Sequence, residues 1–335
     1  MPVTTAELNS PAAEPSGTKP VTWHGRAFGL EIDSNAPFDS IAAPTDRALT
    51  RRVSLDVEPP GALKDVWSPR DATVLSDRSV RAGRPLMRVE ADPELGYRIW
   101  APGHGRHLVS SDGTCIRSSV PRPPDRRWER LLMAQPLPLA ALLQGLELFH
   151  ASAVEIGGRT VAFVAESGTG KTSLAARLVS EGAGFVTDDV LALEILDRRV
   201  IAHAGATVLH LSDAELSAID PTKRARVGVA LRQTDKVHVA ARADSRPREL
   251  TAVYFLSRGP AFKALEIEDV SPPEPRQLLA SAFITYLETP ARLLAQLDFC
   301  AGFAQLVPSF RVRVPRAYGA AALAEEIGSH VEREL

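Results

Sequence analysis

Residues with the types and spacing to do phosphate chemistry cluster in one stretch. Ala165-Glu-Ser-Gly-Thr-Gly-Lys-Thr172 fits the pattern Ala/Gly-x4-Gly-Lys-Ser/Thr, a loop that holds nucleotide phosphates. Gly168 and Gly170 let backbone amides approach phosphate oxygens with no Cβ in the way. Lys171 would reach the β- and γ-phosphates, and Thr172 would offer a hydroxyl to Mg2+. Glu166, Ser167, Thr169 and Ser173 complete the candidate nucleotide-binding set. With glycine at about 7% of ordinary usage, the bare pattern arises by chance in roughly a few per cent of chains this long, so its flanks must decide. Phosphoryl transfer also needs a metal-neutralised polyphosphate and a base or orienting group for the nucleophile. Asp188 and Asp189, a helix-length beyond Lys171, supply carboxylates for both jobs, and His150 stands before the loop as an imidazole able to tune or orient them.

The flanks have the required character. Thr160-Val-Ala-Phe-Val164 reads as a strand into the loop, and Ser173-Leu-Ala-Ala-Arg-Leu-Val179 as a helix out of it, whose N-terminus presents free N–H groups to an anion. Upstream, 151–156, the turn Gly157-Gly-Arg159 and 160–164 form a hairpin, fed by a helix over 137–148. Downstream, Gly182 and Gly184 stop the helix, and Phe185–Val190 brings Asp188 and Asp189 to the end of a strand placed beside the loop strand. Adjacent carboxylates on an extended chain point to opposite sides, so the two are expected to do different work.

The remaining chain divides into a Pro-, Ala- and Ser-rich tail over 1–20, a β-rich module over 21–124, and a loop-bearing domain over 125–333. Within the module, 52–57 alternates, Asp92–Gly96 turns one hairpin, and Ser110–Thr114 another. His104 and His107 flank Gly105, but with no third ligand evident they read as a polar loop. A helix capped by Asp125 follows. After the aspartates come strands over 191–196, 200–203 and 207–211, a helix from Ser212, a polar loop over 220–235, and strands at 236–239, 250–256 and 264–267. Helices over 274–288, 291–306 and 319–333, with a strand at 310–314, end the chain. The class is α+β or α/β.

A net charge of −2 over 335 residues lacks the footprint of a nucleic-acid binder. No apolar run approaches the ~20 residues that span a bilayer, so no membrane partner is expected. The two cysteines, Cys115 and Cys300, form no metal or disulfide pattern. With no signal-peptide pattern at the start, the expected location is cytoplasmic.

The run Phe149-His-Ala-Ser-Ala-Val154, the loop 165–172 and Gly182-Ala-Gly-Phe-Val-Thr-Asp-Asp-Val190 together resemble the catalytic domain of HPr kinase/phosphorylase. The likeness is nearer still to the HPr-kinase-like serine kinases of bacterial peptide-modifying gene clusters. It is specific over 149–193 and extends over roughly 130–330. The resemblance implies a P-loop fold related to phosphoenolpyruvate carboxykinase, with a mixed sheet and C-terminal helices. It implies ATP and Mg2+, a serine of a peptide or small protein as acceptor, and closed homo-oligomers. It also implies His150 paired with Asp188, Asp188 as base, and Asp189 and Thr172 as metal ligands. The segment 204–211 and Lys236 fall where relatives carry matching features. Where the family's downstream signature has a glutamate, Ile201-Ala-His-Ala-Gly205 has no carboxylate, which points to a one-way kinase with an acceptor other than HPr. A small-molecule hydroxyl kinase and a non-catalytic ATP sensor or assembly partner are the alternative expectations on the same loop.

Overall fold

The computed structural model describes residues 20–45, 49–67, 72–80, 84–122, 127–232, 237–241 and 244–335. The expected tail up to residue 19, the cap at Asp125 and Lys236 lie outside them. The chain is a mixed α+β structure with two large sheets and a small third one.

Alternating burial builds the first sheet: in Arg52–Glu58, Val53 and Leu55 are buried while Ser54 and Asp56 are not. Its strands are β1 (Trp23–Ala27), β2 (Leu30–Ser34), β3 (Arg52–Glu58), β4 (Thr73–Val80), β5 (Arg84–Asp92), β6 (Gly96–Trp100), β7 (Arg106–Val109) and β8 (Cys115–Ser119). They lie in the order β1-β2-β3-β8-β7-β6-β5-β4. Both expected hairpins are present, with Asp92 opposite Gly96 and Val109 opposite Ile116. His104 sits half-buried in a bend, but His107 lies in β7 with its ring fully buried. Its Nε2–H donates to the His104 carbonyl at 3.2 Å, which leaves Nδ1 to accept the Ser118 hydroxyl at 2.9 Å.

Two helices, α1 (Arg127–Ala134) and α2 (Pro136–Leu143), pack on this sheet. Residues 136–142 of α2 are all buried, and Pro136 occupies its first turn, where its missing N–H is harmless. The expected helix over 137–148 stops at Leu143. Gly145 takes φ +89° and turns the chain out. Glu147–Phe149 then becomes β9, because backbone partners in the later strand 191–196 outweigh local helical preference.

The second sheet starts with the expected hairpin, β10 (Ala151–Ile156) and β11 (Arg159–Val164). There follow α3 (Lys171–Ser180), β12 (Gly184–Thr187), β13 (Leu191–Leu196) and β14 (Arg199–His203). A three-stranded unit comes next: β15 (Val208–Leu211), α4 (Asp213–Ser217), α5 (Arg224–Val227), β16 (Val229–Arg232) and β17 (Val237–Ala240). The polar loop expected over 220–235 thus holds a helix and a strand. β16 pairs with β17 and Val227 is fully buried, so tertiary partners supply what local periodicity lacks. The chain ends with β18 (Arg248–Gly259), β19 (Glu266–Asp269), α6 (Pro275–Ala280), α7 (Pro290–Leu306), β20 (Ser309–Pro315) and α8 (Ala320–Glu334). The helix expected over 274–288 ends at Ala280. Beyond it the chain pairs with the edge of β9, the Phe283 N–H donating to the Leu148 carbonyl and Ser281 accepting from the His150 N–H.

The order in this sheet is β12-β10-β11-β18-β14-β13-β9, with β20 on β18 and β19 on β20. Alternate residues feed two cores. Val161, Phe163 and Tyr254 face α3 and α8, while Ala162, Val253 and Phe255 face α6 and α7. Among the described residues, no helix is long and apolar enough to cross a membrane. The two large sheets are docked together: the Phe28 N–H donates to the Ala204 carbonyl, and Arg51 pairs with Glu194 at 2.8 Å. One core runs from Ile32, Leu55 and Ile116 through α2 to Leu148, Val190 and Ala192.

Burial pushes the His107 imidazole down from 6.5 to about 4. Its neutral form is favoured by the fold, so the stability present above pH ~6.5 is lost as pH falls towards ~4, on the order of 3 kcal/mol. Urea unfolding across that range is expected to show a flatter acid limb for His107→Gln than for the natural chain. Parallel limbs would contradict the assignment.

Candidate active site

The site forms where two strands change partners. β9 pairs with β13, and β10 pairs with β12. His150 joins the first strand of each pair, and Asp188–Val190 join the second, so the ends of the sheet path return to the same place. The aspartates were expected on a strand beside the loop strand, but β10 lies between β11 and β12. Because β10 is antiparallel to both, its first residues meet the last residues of each: Ala151 is opposite Val164, and Ala153 is opposite Thr187. The inserted strand brings Ser152 into the site, a residue the sequence reading passed over.

The loop 165–170 follows β11. Gly168 and Gly170 take φ +82° and +105°, and an added Cβ at either would meet nothing within 4 Å. Backbone conformation, and not crowding by the protein, therefore demands glycine here. Helix α3 begins at Lys171 with no side-chain cap, leaving its first amides for an anion. Glu166 and Ser167 are exposed at the tip. The Thr169 carbonyl accepts from Arg258 Nε at 3.2 Å, and Arg258 Nη1 donates to the Tyr318 carbonyl at 2.7 Å, so the loop is tied to the end of β18 and the start of α8. Ser173 points away from the loop mouth and donates to Glu215, which also closes the capping box of α4 with Ser212.

Lys171 is buried to 6% exposure, and its ammonium donates to the Ala165 carbonyl at 2.5 Å. It also lies 3.3 Å from His150 Nε2, while His150 Nδ1 lies 3.0 Å from the Asp189 carbonyl. A carbonyl can only accept and an ammonium can only donate, so Nδ1 carries the hydrogen and Nε2 is bare. Burial and the Lys171 charge hold His150 below its usual range, which agrees with this neutral tautomer. His150 therefore holds Lys171 and the backbone of Asp189. Neither of these hydrogen bonds goes to the Asp188 carboxylate.

Asp188 is the buried centre of the site. Its Oδ1 accepts from Ser152 Oγ at 2.6 Å and Thr172 Oγ1 at 3.0 Å. Oδ2 is buried with no hydrogen-bond partner among the described residues. Burial, and secondarily the Asp189 charge, raise its carboxyl to about 7, against the opposing pull of the two hydroxyls. The extended chain expected to separate the two carboxylates is absent, because Asp189 takes φ +66°. Thr187 Oγ1 donates to the Val190 carbonyl at 2.6 Å and locks that turn. As a result Asp188, Asp189 and His210 of β15 offer ligand atoms that all lie within 4.8 Å of one another. The oxygen donors of Thr172 and Asp189, beside the Asp188 carboxylate, fit a hard divalent cation such as Mg2+.

A cavity of about 290 Å³ opens beside Asp188, between the two large sheets, with Phe28, Glu129, Met133, His210 and Phe283 among its walls. Of the residues the sequence reading missed, His210 had a visible signal, a polar position alternating with Leu209 and Leu211 in a strand. Arg258 had another, a charge at the end of an apolar strand parallel to β11. Glu129 and Phe28 had none, since only docking of the sheets brings them near Asp188.

No protein-family model matches the chain, and no curated protein matches it. Among solved structures it is similar to the Hpr(Ser) kinase/phosphatase from Coxiella burnetii at 13% identity, over 56% of this chain and 94% of that one, with a TM-score of 0.31. An overlap that loose does not establish a common fold.

The hydrogen bonds to Oδ1 favour the ionised form of Asp188. Ser152→Ala is therefore expected to raise the Asp188 carboxyl further above about 7, read by carbon-13 NMR titration. A downward move would show that Ser152 does not donate to the carboxylate.

Proposed function

We propose that this chain is an ATP- and Mg2+-dependent phosphotransferase that moves the γ-phosphoryl group to a hydroxyl, on the family resemblance a serine of a peptide or small protein. The observation that carries the reading is the meeting of an uncapped, glycine-turned helix N-terminus with a buried carboxylate that lines a cavity and has one oxygen without a partner among the described residues.

In this reading the amides at the start of α3 and the Lys171 ammonium hold the β- and γ-phosphates. His150 keeps Lys171 in place without adding charge, being neutral, and Arg258 holds the loop tip. Thr172 and Asp189 would hold Mg2+, which supplies neutralisation of the charge that develops on the phosphates. Asp188 accepts the acceptor's hydroxyl proton. The acceptor oxygen forms its bond to the γ-phosphorus as the bond from that phosphorus to the β-bridging oxygen breaks, and ADP leaves with that electron pair. Burial raises the Asp188 carboxyl above the usual carboxylate range, which strengthens it as a proton acceptor.

Labelled ATP, Mg2+ and hydroxyl acceptors, peptide and small-molecule, test the reading. Asp188→Asn is expected to cut transfer by roughly 10²-fold or more while ATP still binds. Lys171→Ala is expected to weaken both. Undiminished transfer by Asp188→Asn would overturn the base assignment, and ATP binding with no transfer to any acceptor would favour a nucleotide sensor.

A further inference from the structure

The cavity beside Asp188 belongs to both halves of the molecule. Phe28 and Asp39 come from the first sheet and its following loop, Glu129 and Met133 from α1, and Phe283 from the segment after α6. At about 290 Å³ it has the size of a site for a side chain or a small molecule.

We propose that this cavity is the acceptor subsite, and that it takes a hydroxyl carried close to a cationic group, with the hydroxyl at Asp188 and Glu129 reading the cation. The proposal rests on the phosphotransferase reading for the role of Asp188. Three observations carry the rest. Asp188 is 6% exposed and lines the cavity, and its Oδ2 is buried without a hydrogen-bond partner among the described residues. A hydroxyl donor removes that unmet acceptor, which an apolar occupant would leave in place. Glu129 is held in the wall by the Ser40 hydroxyl, and the Ser40 carbonyl in turn accepts the Thr207 N–H at 2.8 Å, so the carboxylate is fixed across the junction of the two sheets. The wall away from Asp188 and Asp189 carries the Glu129 carboxylate beside Arg130, and the apolar Phe28, Met133 and Phe283 leave a surface for a methylene stem. A serine beside lysine in a peptide and a small amino alcohol share this chemistry.

Calorimetry with the full chain, Mg2+ and a non-hydrolysable ATP analogue distinguishes them. The probes are one serine peptide with lysine, alanine or glutamate beside the serine, and 2-amino-1,3-propanediol. The lysine peptide or the amino alcohol is expected to bind roughly tenfold or more tightly than the alanine peptide, with the glutamate peptide weakest. Whichever of the two binds identifies the source. Glu129→Lys is expected to invert the peptide order, and Glu129→Gln, which keeps the contact with Ser40, to flatten it. An order unchanged in Glu129→Lys, or failure of every probe to bind a chain that binds the analogue, overturns the subsite. Failure of the analogue alone, with charge-dependent probe binding intact, overturns the phosphotransferase reading and leaves the subsite standing.

Discussion

The site depends on a carboxylate kept out of water with half of its acceptor capacity unmet. A buried ionisable group is costly unless its charge is shared, and Asp188 shares it through two hydroxyls on Oδ1, helped by the Asp189 backbone N–H. Those hydroxyls come from different elements, Ser152 from β10 and Thr172 from α3. The carboxylate is therefore a tie between the hairpin, the helix and the end of β12. The bare second oxygen is the one polar feature of this tie that points to something outside the protein.

Around this tie stand the Lys171 ammonium and the Asp189 carboxylate, and His150 adds no further charge. His150 sits between a buried ammonium and a backbone carbonyl, and only its neutral form satisfies both. A protonated ring would face Lys171 as a like charge. The imidazole thus acts as a spacer that fixes Lys171 and the turn at Asp189, and its place at the junction of β9 and β10 follows from the partner change of both strands. The left-handed conformation of Asp189 is a local strain of the kind that functional turns tolerate when their surroundings enforce it. Here Thr187, Val190 and His150 do the enforcing.

Much of this was legible in the chain. The glycines of 165–170, the apolar run before them and the helix after them are local features, and they appear where pattern and propensity place them. The hairpin 151–164 and both hairpins of the first sheet follow from turn chemistry. The misses share one cause. Glu147–Phe149, residues 281–289 and Val229–Arg232 each take a conformation set by a distant partner, so their local helical or polar character misleads. The idea that adjacent aspartates must diverge failed for the same reason, since it assumed an extended backbone that the turn does not have.

By itself, the sequence determined that a glycine loop feeds a helix carrying Lys171 and Thr172, and that a carboxylate pair follows within reach of one more strand. These are matters of spacing, turn residues and short-range periodicity. Tertiary structure alone decided that β10 intervenes and lends Ser152, that Asp188 and Asp189 face one place with His210, and that the first sheet and α1 close a cavity over them. Those outcomes depend on strand order and on the docking of two sheets, which bury apolar faces without reference to the polar side chains they bring together.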